Sequence, residues 1–215
     1  MKLYSYWRSS SAWRVRIGLA LKEVACEIVP VHLVRSGGEQ FRPEFLAVNP
    51  SAQVPVLEVP GAGGALFHLT QSMAILEYLE ETHPSPPLLP RDPQSRARAR
   101  QLAEMVNSGI QPLQNLRLQS ALRAAGVEPR PLVKEFNEFG LRALESLAAA
   151  TATGRYLVGD DVTLADVLLI PQLYGARRNG VDVEAYPTLR RVERACEILP
   201  AFVAAHPDAQ PDRET

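Results

Sequence analysis

The sequence predicts an α/β domain followed by an all-helical domain. The strand-like apolar segments lie before residue 70, and the periodic apolar stretches after residue 93 have helical spacing. Between them, residues 83–93 are too rich in proline to form a helix or a central strand. We therefore predict an α/β domain over 1–83, a linker over 84–92 and a helical domain over 93–215.

The first thirty residues predict a strand–helix–strand unit. Segments 3–6 and 26–31 have the short apolar pattern of strands, and the residues between them predict a helix. Two such strands pair in parallel through a right-handed crossover. Because Arg14, Arg16 and Lys22 alternate with apolar residues, we expect the connecting helix to be amphipathic.

A hairpin and a second helix complete the first domain. Segments 55–59 and 65–69 are joined by a glycine-rich turn and predict an antiparallel hairpin, and apolar spacing over 70–81 predicts a helix. The order β-α-β, loop, β-β-α predicts a thioredoxin-like, mixed four-stranded sheet. The sequence has no CxxC motif, so we expect no dithiol redox chemistry.

The second domain is predicted from helical periodicity alone. Its predicted helices are 94–124 (interrupted near Gly109 and Pro112), 131–151, a segment beginning at Thr163, 187–197 and 199–205. Thr163 followed by Asp166 predicts a capping box. The apolar stripe of helix 131–151 is predicted to be Leu132, Val133, Phe136, Phe139, Leu144 and Leu147. We expect the polar tail from Pro207 to be frayed.

Bulk properties exclude several classes of protein. The net charge is -1, so we expect no nucleic-acid partner, and no apolar run is long enough to span a membrane. The first strand begins at once, which leaves no room for a targeting segment. Cys26 and Cys196 are far apart and predict buried free thiols in a reducing compartment, hence a cytoplasmic protein. The histidines lack metal-ligand spacing, so we expect no metal.

Three consecutive serines, Ser9, Ser10 and Ser11, form the first candidate site. They stand where the first strand passes into a helix and are flanked by Arg8 and Arg14. The free N–H groups and the dipole of a helix N-terminus favour an anion, and hydroxyl groups add donors. The alternative is that one serine is an N-cap and the others are loop residues. The run of three between arginines favours an anion site.

Two further segments are candidates for ligand binding. Thr70, Gln71 and Ser72 open the second helix and offer another anion site, or else a plain N-cap with Gln71 in solvent. Pro55 begins a strand after Val54. If that peptide bond is cis, the Val54 backbone faces outward and can pair with an extended ligand, although base rates favour trans.

Several motifs together resemble the glutathione transferase superfamily over nearly the whole chain. QVP at 53–55 and TLAD at 163–166 are shared across the superfamily. YWRSSSAWRVR at 6–16, IQPLQN at 110–115 and HPDAQPD at 206–212 are similar to the zeta class in particular. This resemblance implies the glutathione transferase fold, glutathione as the first ligand, and a homodimer.

The resemblance implies how the sulfur end of glutathione is held. Ser9 would hold and activate the sulfur, with Ser10 and Ser11 lining the same turn. The zeta pattern reads Ser-Ser-Cys, and here Ser11 takes the place of that cysteine. An enzyme thiol is therefore not available in this turn, which affects the choice of substrate more than the choice of chemistry.

The resemblance also implies contacts along the rest of glutathione. Gln40 would touch the glycine end, and Val54, before a cis-Pro55, would pair with the cysteinyl backbone. Gln71 and Ser72 would bind the γ-glutamyl carboxylate. The contacts expected from the helical domain, of the same or the neighbouring subunit, are Gln111 and Asn115.

The implied reaction is the cis–trans isomerisation of maleylacetoacetate to fumarylacetoacetate by reversible thiolate addition. The alternatives are maleylpyruvate isomerisation, a zeta-class transferase or dehalogenase activity on small α-halo acids, and a non-catalytic binding protein. The substrate would be a small dicarboxylate-type molecule, for which guanidinium groups are suitable partners. The candidate cations are Arg8, Arg178 and Arg117.

Overall fold

The computed structural model describes residues 1–214, which form two compact units. The first unit comprises Met1–Pro86 together with the residues from Leu199 onward, and the second comprises Pro87–Ile198. The sequence placed all residues after 92 in the helical domain. The structure instead packs helix α9 (Pro200–Ala205) against helix α1 (Ser10–Leu21), so the last segment belongs to the first unit.

A mixed four-stranded sheet forms the centre of the first unit, as predicted. Its strands are β1 (Lys2–Ser5), β2 (Glu27–Pro30), β3 (Val56–Pro60) and β4 (Leu66–Thr70). The strand order is β2-β1-β3-β4, with β1 parallel to β2 and the other two pairs antiparallel. The remaining α-helices of this unit, beside α1 and α9, are α2 (Pro43–Val48) and α3 (Ser72–Thr82).

Alternating residues of the strands supply two apolar clusters. Leu3 and Leu57 pack with Val15 of α1 and Ile75 of α3. The second cluster includes Val56 and residues of the segment after β1, and its members are Tyr6, Trp7, Ala12, Val31, Phe45, Val54 and Val56. Because Tyr6 and Trp7 are core residues, the chain that leads into the serines is fixed by packing.

Helix α1 differs from the prediction because its basic side chains are buried. Arg14 is fully buried, and Arg16 and Lys22 are each about 5% exposed. The Lys22 ammonium donates to Glu80 Oε2 at 2.7 Å and to the carbonyl of His83 at 2.6 Å. A buried charge requires such partners. The prediction of an amphipathic helix was wrong because these partners lie far along the chain.

The second unit is entirely helical, as predicted. Its α-helices are α4 (Pro93–Glu104), α5 (Leu116–Ala124), α6 (Pro129–Thr151), α7 (Leu164–Arg178) and α8 (Pro187–Glu197). The predicted interruption near Gly109 corresponds to a π-helical segment, Met105–Ile110, followed by a 3₁₀ turn, Gln111–Gln114. Helix α7 is buried on nearly all sides and begins with the predicted capping box of Thr163 and Asp166.

Helix α6 presents part of its predicted stripe to solvent. Val133 and Leu144 are buried as expected. Leu132, Phe136 and Phe139 are 40%, 45% and 71% exposed, so these three members of the predicted stripe do not lie in the core of the unit. None of the helices in residues 1–214 has the length and apolarity needed to cross a bilayer.

Candidate active site

The three serines lie at the N-terminus of α1. A tight turn precedes the helix, in which the Ser9 N–H donates to the Tyr6 carbonyl at 2.9 Å. Ser9 is the N-cap, and its Oγ accepts from the Ala12 N–H at 3.2 Å. Ser10 and Ser11 are the first two residues of the helix.

This helix start has the donors that an anion requires. Within residues 1–214, the N–H groups of Ser10 and Ser11 have no hydrogen-bond acceptor. The hydroxyl proton of Ser9 is also free to donate, because the N-cap interaction uses its oxygen as an acceptor. Arg8 lies next to this turn with its guanidinium over the Trp7 ring, 5.2 Å from the centroid. The arrangement favours a negative charge above the serines.

The N-terminus of α3 provides a second set of unused donors. Gln71 is the N-cap residue with φ +71°, and its exposed side chain makes no capping hydrogen bond. The amide groups of Ser72, Met73 and Ala74 therefore lack acceptors in the described part of the chain. If Gln71 and Ser72 form a plain cap, these donors bond only to water, whereas a carboxylate ligand would accept from them.

A buried arginine links the two helix starts. Arg14, in the first turns of α1, donates from Nη1 to Ser72 Oγ at 3.2 Å. Ser72 is itself buried. The link fixes the two anion sites at a defined separation, which suits a ligand that carries two negative groups. Sequence reasoning treated Arg14 only as a flanking charge.

The Val54–Pro55 segment lies just before β3. The peptide bond between these residues is cis. Val54 is buried, and neither its N–H nor its carbonyl is hydrogen-bonded to another of the described residues. These two groups can therefore pair with the backbone of an extended ligand.

Gln40 is held inside the first unit. It is 6% exposed, and its Nε2 donates to the Leu33 carbonyl at 3.2 Å. Its side chain lies against Gly38, where a Cβ would come within 2.5 Å of Nε2. Gly38 has φ +102°, a backbone conformation that favours glycine, and a side chain there would also require the end of Gln40 to move.

The remaining predicted residues lie on the helical unit. Gln111 begins the 3₁₀ turn, and Asn115 caps α5 by accepting from the Arg117 N–H at 2.9 Å. Arg117 is exposed at the start of α5, and Arg178 is the exposed last residue of α7. The first unit holds the other nine: Arg8, Ser9, Ser10, Ser11, Gln40, Val54, Pro55, Gln71 and Ser72.

A buried amide network positions the segment that carries Gln111, Asn115 and Arg117. Asn137 of α6 accepts through Oδ1 from Gln114 Nε2 at 3.0 Å and from Gln172 Nε2 at 2.6 Å. The network fastens the 3₁₀ turn to α6 and α7. Sequence reasoning missed it, although Asn137 stands between Val133 and Leu141 on a buried helix face, where a polar residue needs a partner.

Neither cysteine can serve as a nucleophile in this site. Burial raises the pKa of the Cys26 thiol to about 11 and raises the pKa of Cys196 further above its ordinary value. Both thiols are therefore protonated near neutral pH, and neither lies in the serine turn. Thiolate chemistry at the serines requires a thiol from the ligand.

Comparison with known proteins identifies the family. The model of the glutathione S-transferase N-terminal domain matches residues 1–81, and that of the C-terminal domain matches residues 113–200. The chain belongs to the glutathione S-transferase family. Within it, the chain is a member of the zeta class, which includes the maleylacetoacetate isomerases.

Relatives match along most or all of their length. Maleylacetoacetate isomerase of Rattus norvegicus is 49% identical over 98% of this chain and 94% of its own. A crystal structure of maleylacetoacetate isomerase from Anaeromyxobacter dehalogenans with bound GSH is 56% identical, with a TM-score of 0.89 over 98% of this chain and 96% of that one. A holo structure of a bacterial zeta-class maleyl pyruvate isomerase is 42% identical, with a TM-score of 0.92 over 100% of both chains.

Proposed function

We propose that the chain is a glutathione-dependent cis–trans isomerase that converts maleylacetoacetate to fumarylacetoacetate. The observation that carries the proposal is the start of α1, where the Ser9 hydroxyl and two free amides can stabilise an anion in a site that has no thiol of its own. The thiolate of glutathione is an anion of suitable size, and a structure of a relative holds GSH in its active site.

Glutathione lies across the first unit in this proposal. Ser9 donates to the sulfur, while Gln71 and Ser72 at the start of α3 bind the γ-glutamyl carboxylate. Val54 pairs with the cysteinyl backbone, and Gln40 lies toward the glycine end. A free thiol has a pKa of about 8.5, and hydrogen bonds to the charged form lower it.

The thiolate then acts as a reversible nucleophile. Sulfur bonds to one alkene carbon, the double bond becomes single, and its electron pair moves onto the conjugated carbonyl as an enolate. Rotation about the new single bond follows. Elimination returns the electron pair, expels the thiolate and leaves the trans alkene. Arg8, Arg117 and Arg178 are each a candidate partner for a substrate carboxylate.

A structure of a relative supports addition to an unsaturated dicarboxylate. Another crystal structure of maleylacetoacetate isomerase from Anaeromyxobacter dehalogenans contains dicarboxyethyl glutathione and citrate in its active site and is 52% identical to this chain. A dicarboxyethyl group on sulfur is the saturated adduct that a thiol forms with such an alkene. Arg117 and Ser11 make maleylpyruvate the second candidate substrate.

The test is an absorbance assay of maleylacetoacetate and maleylpyruvate, each with glutathione, with S-methylglutathione and with neither. We expect turnover of maleylacetoacetate only with glutathione, because S-methylglutathione occupies the site but has no thiol. A preference for maleylpyruvate would change the assigned substrate. Glutathione binding without turnover of either, together with halide release from a 2-chloro acid, would contradict the isomerase assignment.

We also propose that the protein is a homodimer that covers the exposed side of α6. Leu132, Phe136 and Phe139 are spaced so that they share one side of the helix, and an exposed apolar patch of this kind is typical of an interface. Sedimentation should give twice the chain mass of 23.7 kDa. Phe136→Glu should shift the protein toward monomer, whereas Ala149→Glu, on another exposed side of α6, should not. A wild-type monomer at micromolar concentration would contradict this proposal.

The proposed compartment is the cytoplasm. Cys26 and Cys196 are both free thiols in the structure. A reducing compartment maintains thiols in that state, and it also supplies reduced glutathione.

A further inference from the structure

The buried guanidinium of Arg16 holds the turn that leads to Ser9. Arg16, in the second turn of α1, is about 5% exposed. Its Nη2 donates to the Trp7 carbonyl at 2.8 Å, and its Nη1 donates to the Tyr6 carbonyl at 3.3 Å and to Ser5 Oγ at 3.0 Å. Its Nε donates to the Ala205 carbonyl, at the end of α9, at 3.1 Å.

The C-terminal segment also holds this turn. Asp212 Oδ2 accepts from the Trp7 N–H at 2.9 Å across a sequence separation of 205 residues. Both backbone polar groups of Trp7 are thus fixed by side chains, one from Arg16 and one from Asp212. With the Ser9 N–H already bonded to the Tyr6 carbonyl, little freedom remains in this turn.

The C-terminal segment is itself ordered, contrary to the frayed tail that the sequence predicted. Gln210 Nε2 donates to the carbonyls of Ala204 and His206 at 3.0 and 2.9 Å. Glu214 accepts from the Arg35 guanidinium at 2.9 Å. The tail therefore has its own attachments, and Asp212 is presented to Trp7 by a fixed backbone.

A buried arginine is an expensive way to gain stability alone. Burial lowers the pKa of Arg16 only to about 10, so the group stays protonated at neutral pH. Replacing a buried charged group by an apolar one of similar volume often leaves a protein as stable or more so. Each of the four hydrogen bonds of Arg16 goes to the segment 5–7 or to the end of α9, which points to a role in positioning.

We propose that Arg16 and Asp212 are positioning residues that fix the serine turn, so that the C-terminal segment sets the alignment of the Ser9 hydroxyl with the glutathione sulfur. The inference rests on the proposed function for its catalytic consequence. In this proposal both residues act through the serine turn and not by contact with the ligand. Their effect passes through the Trp7 peptide groups to Ser9, two residues away. Pre-alignment of a donor matters because a displacement of about 1 Å at a reacting centre can cost on the order of a hundredfold in rate.

The test compares variants of Asp212, since a change at buried Arg16 could prevent folding. Asp212→Ala removes the acceptor for the Trp7 N–H, and Asp212→Asn retains an acceptor oxygen of the same reach. Asp208→Ala is the matched control, because Asp208 lies in the same tail and pairs with His206 and Arg213 rather than with the serine turn. The readouts are the pH titration of bound glutathione by its thiolate absorbance, kcat and KM, and thermal unfolding.

Asp212→Ala should raise the apparent pKa of bound glutathione and lower kcat by on the order of tenfold or more, with KM for glutathione changed far less. Asp212→Asn should keep both the thiol pKa and kcat close to their wild-type values, and Asp208→Ala should match wild type in both. A wild-type thiol titration in Asp212→Ala overturns the proposal, as does a loss of activity that only follows the loss of folded protein. The titration needs no second substrate, so it stands even if the isomerase assignment fails.

Discussion

Ser9→Ala is expected to lower kcat/KM for the glutathione-dependent reaction by on the order of 10² to 10³. The alanine removes the one hydroxyl that is placed at the N-cap of α1 with its proton free to donate. Bound glutathione would then titrate with a higher thiol pKa, because its charged form loses a hydrogen bond while its neutral form does not. Steady-state kinetics and the thiolate absorbance of the binary complex measure the two effects.

Ser9 also caps a helix, so its variants must separate stability from chemistry. Alanine at an N-cap costs about 1 kcal/mol of unfolding free energy. Ser9→Asp keeps the cap, since aspartate is as good an N-cap as serine, but places a negative charge beside the sulfur. Ser9→Thr keeps both the cap and the hydroxyl. We expect Ser9→Asp to be stable and inactive, and Ser9→Thr to be stable and partly active.

The neighbouring serines provide the comparison. Ser10→Ala and Ser11→Ala remove hydroxyls but leave the N-cap in place. If Ser9→Ala turns over at nearly the wild-type rate but Ser10→Ala or Ser11→Ala is inactive, the activating hydroxyl belongs to the serine whose replacement abolishes activity. If all three variants are active, the helix amides alone stabilise the thiolate.

The parts of the fold and site that sequence predicted are those with local signals. These signals are the proline-rich segment, the spacing of apolar residues at two or 3.6 positions, and the Thr-x-x-Asp cap. Each is contained within a short stretch of sequence, and together they predicted the sheet, the helical unit and the α7 cap. The anion-ready helix starts are local as well. Hydroxyl-rich turns before an apolar helix can be recognised without knowing what packs on them.

The parts that sequence did not predict depend on partners far along the chain. Arg14 and Arg16 resemble solvated residues until Ser72 and Ala205 are known to lie beside them. Asp212 resembles a tail residue until Trp7 is found at its carboxylate. On α6 the error is the reverse, because apolar residues of the predicted stripe are exposed. The helical spacing of apolar residues does not distinguish a core face from a surface that another chain can cover.

Asp166→Ala is expected to cost about 3–5 kcal/mol of unfolding free energy at pH 7. Asp166 is fully buried at the start of α7. One carboxylate oxygen accepts from the Leu157 N–H at 2.9 Å, and the other accepts from the Thr163 N–H at 2.8 Å and the Thr163 hydroxyl at 3.0 Å. Alanine leaves these donors buried without an acceptor. Urea unfolding measures the loss, and Asp161→Ala, an exposed residue of the same loop, serves as the control.

The Asp166 carboxyl should also give stability a pH dependence of unusual sign for an acid. Burial raises its pKa to about 6, against an unfolded value near 4, even though three donors favour the charged form. The folded state therefore binds this proton more tightly than the unfolded state does. The resulting stabilisation, about 3 kcal/mol, is fully present below about pH 4 and is lost as the pH rises through about 6. Asp166→Asn has no carboxyl to titrate at this position. The unfolding free energy of wild type minus that of Asp166→Asn should therefore decrease as the pH rises from 5 to 7. If this difference increases instead, the three donors hold the folded pKa below the unfolded one.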